Sequence, residues 1–364
     1  MIENVGLFFQ PSHPPERSVA DAQAWDLDVI EMADKLGYSE AWIGEHYTLA
    51  WEPNPAPDLL IAQALTRTKR IRLGAGGHLL PYHHPIELAH RIAYMDHLSG
   101  GRLNFGIAAS GVPTDLHMFN VDGSAGENRK MTAEALEIIL KIWTDPESFE
   151  FRGQYWDANS PKVMGYMGPH IKPLQEPHPP IGVTGISAGS ETLKLAGEYG
   201  FLPLSFGGNL RYIASHWDSV LEGAKRSGRV PNRQDWRITR DIFVADTEEE
   251  AREHTLNGML ARKHNDYYLD IVRRAKFLDA FKHSPEVADE DVTAEYLADT
   301  SWFIGTPDTV AKRIMELHDG VGGFGTLLMI VADYADDRDA WMKSMRLLTE
   351  EVMPRVQRLQ RLAA

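Results

Sequence analysis

Glu45 and His46 stand side by side just past a short apolar run, residues 40–44. An imidazole beside a carboxylate at a strand end can hold or move a proton in a chosen tautomer. A second cluster, Gly74-Ala75-Gly76-Gly77-His78, closes another apolar run with three glycines. Such residues let a backbone lie flat against a planar ligand. In a third, Thr184 to Thr192, the hydroxyls of Thr184, Ser190 and Thr192 and the small Gly189 gather where an amphipathic segment begins. Unpaired amides and the helix dipole make an anion site at such a start. The fourth, Ala108-Ala109-Ser110-Gly111, again leaves room for something flat. Plainer readings stand beside each: a surface histidine, a bulge in a sheet wall, and a helix cap at Ser187 or Ser190.

Composition narrows the chemistry. The chain has 364 residues and no cysteine, which removes disulfides, thiolate metal sites and a thiol nucleophile, and fits a cytoplasmic location. Its formal net charge of −15 repels phosphate backbones, so no nucleic-acid partner is expected. The first residues lack the pattern of a secretory signal, and no uncharged apolar run approaches the roughly 18 residues of a membrane helix. His78, His83 and His84 invite a metal reading. Neighbours on an extended segment point to opposite sides, however, and the nearby chain offers no obvious carboxylate, so no metal is expected.

Positioning these clusters requires a regular frame, and the sequence alternates short apolar runs with longer amphipathic ones throughout. Strands are predicted at residues 5–9, 40–44, 71–75, 103–107, 181–184, 202–206, 236–246 and 326–330, each followed by a helical pattern. Eight such units predict an α/β fold, a TIM (β/α)8 barrel, spanning residues 1–364 as one domain. Residues 148–180, irregular and rich in Pro, Gly and aromatics, and the helical 250–300 read as insertions. The doubly wound alternative calls for Gly-x-Gly-x-x-Gly after the first strand, where Phe9-Gln10-Pro11-Ser12-His13 stands instead. Barrel enzymes work at the carboxyl ends of their strands, where all four clusters fall. Phe9, Tyr47, His78 and Phe206 are the expected substrate-pocket residues, and Trp51, Tyr82, Tyr155, Trp156 and Tyr166 are candidates to close the pocket or simply to pack.

Along nearly its whole length the chain resembles the bacterial-luciferase-like flavin monooxygenases. The resemblance rests on Glu45-His46, on Gly74 through Pro81, on Asp96-x-Leu98-Ser99-Gly100-Gly101-Arg102-Leu103-Asn104-Phe105-Gly106, on residues 189–196, and on Ile304-Gly305-Thr306-Pro307-Asp308. Residues 43–52 and 78–83 bring it closest to the diketocamphane-type and limonene-type monooxygenases. The resemblance implies His46 as the catalytic histidine beside the flavin, with Glu45 next to it. It places Gly76-Gly77 on the family's non-proline cis peptide under the ring, with Ala75, Ala108 and Thr184 around the cofactor and Gly189, Ser190 and Thr192 at its phosphate. Two departures matter: Ala109 stands where light-emitting members carry a phosphate-gripping arginine, and Ala108 where they carry a reactive cysteine. Light emission from an aldehyde is therefore not expected, and Arg129 is the candidate replacement.

The implied reaction takes FMNH2 from a separate flavin reductase and forms a C4a-peroxyflavin with O2. One oxygen atom then enters a small apolar substrate, by Baeyer–Villiger oxidation of a cyclic ketone or by epoxidation or hydroxylation of a terpene-like compound. A homodimer is implied by the same resemblance. The competing expectations are an F420-dependent oxidoreductase on the same barrel, a non-catalytic FMN-binding protein, and a metal-dependent barrel hydrolase.

Overall fold

The computed structural model describes residues 1–363. Its strands in chain order are β1 (Asn4–Phe9), β2 (Glu40–Ile43), β3 (Arg72–Ala75), β4 (His78–Leu79), β5 (Leu103–Ala108), β6 (Phe149–Arg152), β7 (Asp157–Ser160), β8 (Ile181–Gly185), β9 (Leu202–Ser205), β10 (Arg237–Arg240), β11 (Ile242–Val244), β12 (Phe303–Gly305) and β13 (Thr326–Val331). Neighbouring parallel pairs run β3-β2-β1-β13-β10-β9-β8-β5, and β5 pairs back onto β3, closing an eight-stranded barrel. The helices outside it that bear on the site are α1 (Val19–Leu36), α2 (Pro57–Arg67), α3 (Pro85–Ser99), α4 (Pro113–Met118), α5 (Glu127–Thr144), α6 (Glu191–Tyr199), α7 (Leu210–Ser227), α8 (Glu248–Leu256), α9 (Met259–Lys263) and α10 (Leu269–Arg274).

Local chemistry sets these boundaries. Ser18 caps α1 by accepting the Asp21 amide at 3.1 Å, and Gly37 ends the helix in the left-handed conformation at φ 82°. Proline opens α2 and α3, where a missing N–H costs nothing. Strand alternation then divides the apolar side chains into two cores. Phe8, Trp42, Leu204, Phe206, Leu328 and Ile330 pack inside the barrel, whereas Leu7, Phe9 and Ile43 face the helical layer. Trp42 takes most of the barrel's width, because a Cβ on Gly182 would come within 2.6 Å of its ring. Below it, Glu40 Oε1 accepts the Trp42 indole N–H at 2.9 Å and Arg237 Nε at 3.1 Å. That layer fills the amino-terminal end, and the cavity lies toward the carboxyl ends of the strands.

The seventh expected strand, residues 236–246, is not continuous. β10 stays in the barrel, and β11 leaves it to pair with β12. The break falls at Asp241, whose carboxylate meets the buried Lys263 at 3.0 Å and His264 at 3.6 Å. The 148–180 segment is also more ordered than expected. β6 and β7 form an antiparallel hairpin, tied to α5 where Glu134 accepts the amides of Gln154, Tyr155 and Trp156 at 2.8 Å each. Among the described residues, no helix is long and apolar enough to cross a membrane.

A buried ion cluster fixes the loop after β1. His13 Nδ1 lies 2.8 Å from Asp333 and Nε2 lies 3.2 Å from Asp26, while Arg17 reaches Asp333 at 2.6 Å. Burial alone would discharge the imidazole, but Asp26 and Asp333 outweigh it and lift its pKa to about 9. The same burial pushes Asp26 up, so Asp333, held low by His13 and Arg17, carries most of the countercharge. A raised folded-state pKa gives stability that is complete below the unfolded value near 6.5 and is lost as pH rises through about 9. His13→Gln is therefore expected to melt well below wild type at pH 6, with the gap narrowing as pH passes 9. A gap in melting temperature that is constant from pH 6 to 10 would refute this.

Candidate active site

The third strand gains a residue as it leaves the barrel. Leu73 pairs with Leu103 and Gly74 with Asn104, but His78 pairs with Ile107, so the register slips by one across Gly76 and Gly77. This is a bulge of the kind that bends a strand and re-aims the side chains beyond it. Gly77 lies so close to β5 that a Cβ would meet the Ile107 amide nitrogen at 2.6 Å and Gly106 carbon at 2.8 Å. Thr184 Oγ1, on β8 just beyond β5, donates to the Gly76 carbonyl at 2.7 Å and fixes the bulge from the side. The Gly76–Gly77 bond is trans; among the described residues the cis bond is Glu176–Pro177. The expectation of a cis bond at the glycines is thus corrected, since their backbone reaches β5 through the extra residue.

Glu45 secures the far side of this bulge. Its carboxylate accepts the Leu79 amide at 3.0 Å, the Tyr47 hydroxyl at 2.8 Å and His83 Nε2 at 2.7 Å. Burial would raise its pKa, but His83, His78 and the Leu79 amide outweigh burial and hold it below the usual carboxylate range. With both oxygens engaged, Glu45 is a tether rather than a free base. His46, the next residue, is 25% exposed and lines an internal cavity of ≈ 800 Å³. Its Nε2 lies 3.2 Å from Glu52 Oε2 and its Nδ1 3.5 Å from Asp115 Oδ2. Neither approach has hydrogen-bond angles, so Nδ1 and Glu52 Oε2 both remain unpartnered. Burial disfavours charge on His46, yet Glu52, Asp115 and Glu45 outweigh burial and raise its pKa above the ordinary value.

The cavity runs from Gly77 and Ala108 to the start of α6. There Gly189 takes φ 63°, and Ser190 Oγ caps the helix by accepting the Leu193 amide at 3.3 Å. Thr192 Oγ1 donates to the Thr184 carbonyl at 3.0 Å. The amides of a helix's first turn have no acceptor within the helix and favour an anion. Arg129, near the start of α5, lies on the same wall. The other end is apolar, walled by Leu116, Ile271, Val272, Phe277 and Phe281.

The luciferase-like monooxygenase family model matches residues 4–322. The chain belongs to that family. The 3,6-diketocamphane 1,6-monooxygenase of Pseudomonas putida is 33% identical over 374 residues, covering 98% of this chain and 99% of that one. Limonene 1,2-monooxygenase of Rhodococcus erythropolis is 30% identical over 354 residues, covering 96% and 85%. The solved structure of the oxygenating constituent of 3,6-diketocamphane monooxygenase from P. putida, a type II Baeyer–Villiger monooxygenase in complex with FMN, superposes with a TM-score of 0.90. It is 34% identical, over 97% of this chain and 98% of that one.

Within this luciferase-like frame the fold brings together Glu45, His46, Gly77, Ala108, Thr184, Ser190, Thr192 and Phe206, all on the cavity, although their strands span the chain. Ala75 and Gly76 are buried beside the lining residue Gly77, and Gly189 is exposed beside the lining residue Ser190. Three expected pocket residues, Phe9, His78 and Tyr47, are corrected. Phe9 is wholly buried against the helices, and its neighbour Phe8 faces the cavity instead, because adjacent strand residues point to opposite sides. His78 is buried behind the bulge, with Nε2 2.6 Å from Asp58 and Nδ1 3.2 Å from the Gly106 carbonyl. Tyr47 gives its hydroxyl to Glu45 and packs edge-on against Phe119, outside the lining. Tyr155 and Trp156 belong to the β6–β7 turn and Tyr166 is fully solvent-exposed, so none closes the mouth. Tyr267, Tyr268 and the α10 segment, which the sequence shows only as helical, line the cavity instead. Gly77→Ala is expected to push β4 off β5 and cost about 1–3 kcal/mol by overpacking. Urea unfolding checks the cost, and stability equal to wild type would show that the bulge can yield.

Proposed function

We propose that this enzyme is the oxygenase component of a two-component system. It takes FMNH2 from a separate flavin reductase and inserts one atom of O2 into a small apolar molecule, by Baeyer–Villiger oxidation of a cyclic ketone or by epoxidation or hydroxylation of a terpene-like compound. The observation that carries this reading is His46, 25% exposed and set between Glu52 and Asp115, on a cavity that Gly77 and apolar side chains help to line. The residues fit FMN: Gly77, with no side chain and packed tight on β5, lines the cavity, and the lining also offers hydroxyls and a helix start. The backbone of Gly76 and Gly77, with Ala108 and Thr184, would lie against the ring system. Ser190, Thr192, the first amides of α6 and Arg129 would hold the phosphate, in a site without an arginine at residue 109. When bound and reduced, FMN supplies the activation of O2 that no side chain can.

The chain's own residues supply the rest. Glu52, Asp115 and Glu45 favour the protonated imidazole, and His46, partly exposed on the cavity wall, is placed to hold or move a proton there. Phe206, Ile271, Val272 and Phe281 exclude water, which would otherwise intercept a reactive oxygen species. The relatives' names, which point to a diketocamphane and limonene, support a neutral ring compound as substrate. Self-association is part of the proposal: Tyr94 on α3, 55% exposed, and Ile171, 41% exposed, share a hollow on the outer surface with His84, Glu87, His90 and Arg91, a mixed face that a second copy would cover.

The test supplies chemically reduced FMN and O2 with a panel of cyclic ketones, terpenes and sulfides. Wild type is expected to give oxygenated product, and His46→Ala to lose about 10²–10⁴-fold while still binding FMN. The wild-type rate is expected to fall as pH rises through the raised His46 pKa, and this limb should vanish in the variant. Equal turnover by both proteins would remove His46 from the mechanism.

A further inference from the structure

Two carboxylates flank His46, and they are held differently. Asp115, at the start of α4, is engaged on its own side: its Oδ1 accepts the Thr48 amide at 2.8 Å and its Oδ2 the Tyr47 amide at 3.4 Å. Glu52 receives one hydrogen bond, from the Tyr267 hydroxyl to Oε1 at 2.7 Å. Its Oε2 is buried, takes no hydrogen bond and lies 3.2 Å from His46 Nε2. Clamping one oxygen aims the other. Tyr267 is itself fixed: its ring stacks on Trp51, with centroids 5.6 Å apart and 12° between planes, and Arg262 lies over the Trp51 ring at 5.7 Å. It also lines the cavity, in a π-helical turn, His264–Tyr268, that leads into the apolar wall of α10. Wide turns of this kind gather at functional sites.

We propose that Tyr267, acting through Glu52, is a positioning residue for His46, tying the imidazole to the helical segment that walls the substrate end of the cavity. The inference rests on the monooxygenase reading above. Glu52 and Tyr267 need not touch the reacting atoms; their work is to fix where the imidazole stands and which way its nitrogens face. The charged or titratable groups around His46 are Glu45 from its own loop, Glu52 from the loop beyond, Asp115 from α4, and Tyr267 behind Glu52. Of these, Tyr267 belongs to the turn that leads into Ile271 and Val272 of the apolar wall. The Phe variant is a mild probe, because Tyr267→Phe keeps the ring that stacks on Trp51 and removes only the hydroxyl.

Imidazole titration of His46 by nuclear magnetic resonance in the flavin-free protein, assigned with His46→Gln, is the direct readout. Glu52→Gln is expected to lower the His46 pKa by about 1 unit or more, since an opposite charge within 4–6 Å is removed. Tyr267→Phe is expected to lower it by less and in the same direction, with unchanged melting temperature. In turnover, Tyr267→Phe should reduce kcat and shift the pH limb downward while FMN affinity stays at the wild-type value. Titrations in both variants that overlay wild type would overturn the inference, as would FMN affinity that falls in step with kcat, which would make the pair part of the cofactor wall. Failure of the monooxygenase reading looks different: wild type itself would give no oxygenated product, whatever the titrations show.

Discussion

The site depends on how one buried carboxylate is used. Glu45 sits where β2 ends and the bulged third strand resumes, and its three hydrogen bonds join those two strands to the loop carrying His83. A carboxylate in that place is expensive unless its oxygens are occupied. Leu79, Tyr47 and His83 occupy them, and the backbone on either side is consequently fixed. His46 is the next residue, so its direction is inherited from this tether. The glycines of the bulge expose backbone to the cavity because β4 is pinned beyond them. Without the tether, the extra residue in the third strand would be a point of slack rather than a shaped floor.

Charge is distributed with similar economy. The chain is strongly acidic overall, yet around His46 the acidic groups are few, buried and individually held. Elsewhere on the cavity, the wall at the start of α6 offers the hydroxyls of Ser190 and Thr192 and the helix's first amides, with Arg129 and the carboxylates of Asp122 and Glu191 also on the lining. The cavity therefore has an end suited to an anion, a proton-bearing centre and an apolar end. Such an order matches a ligand with a charged tail and a flat head, and a second, neutral molecule beside it.

Much of this was legible in the sequence, for physical reasons. Parallel strands buried on both faces read as continuous apolar runs, so the eight barrel positions could be counted. The carboxyl-end rule then pointed to Glu45, His46, Gly77 and the turn at Ser190. What stayed hidden depended on register or on distant partners. Alternation says that Phe8 and Phe9 face opposite ways, but not which faces inward. His78 was misplaced because the bulge shifts the parity of everything after it. The break at Asp241 is set by Lys263 and His264, more than twenty positions along the chain. The same holds for Glu52 and Tyr267, whose hydrogen bond joins residues 215 positions apart. No local pattern marks such a pair; the nearest signal was the helical periodicity of residues 250–300, which says nothing of what that segment covers.

The plugged lower end has a further consequence. With Trp42 filling the bore and Glu40 bonded to Arg237 beneath it, the vessel has a floor, and the cavity lies on the carboxyl-end side of that floor. Whatever lies deepest in the cavity has that layer beneath it and cannot leave through it. Traffic is confined to the other side of the floor, and the architecture settles this before any affinity is considered.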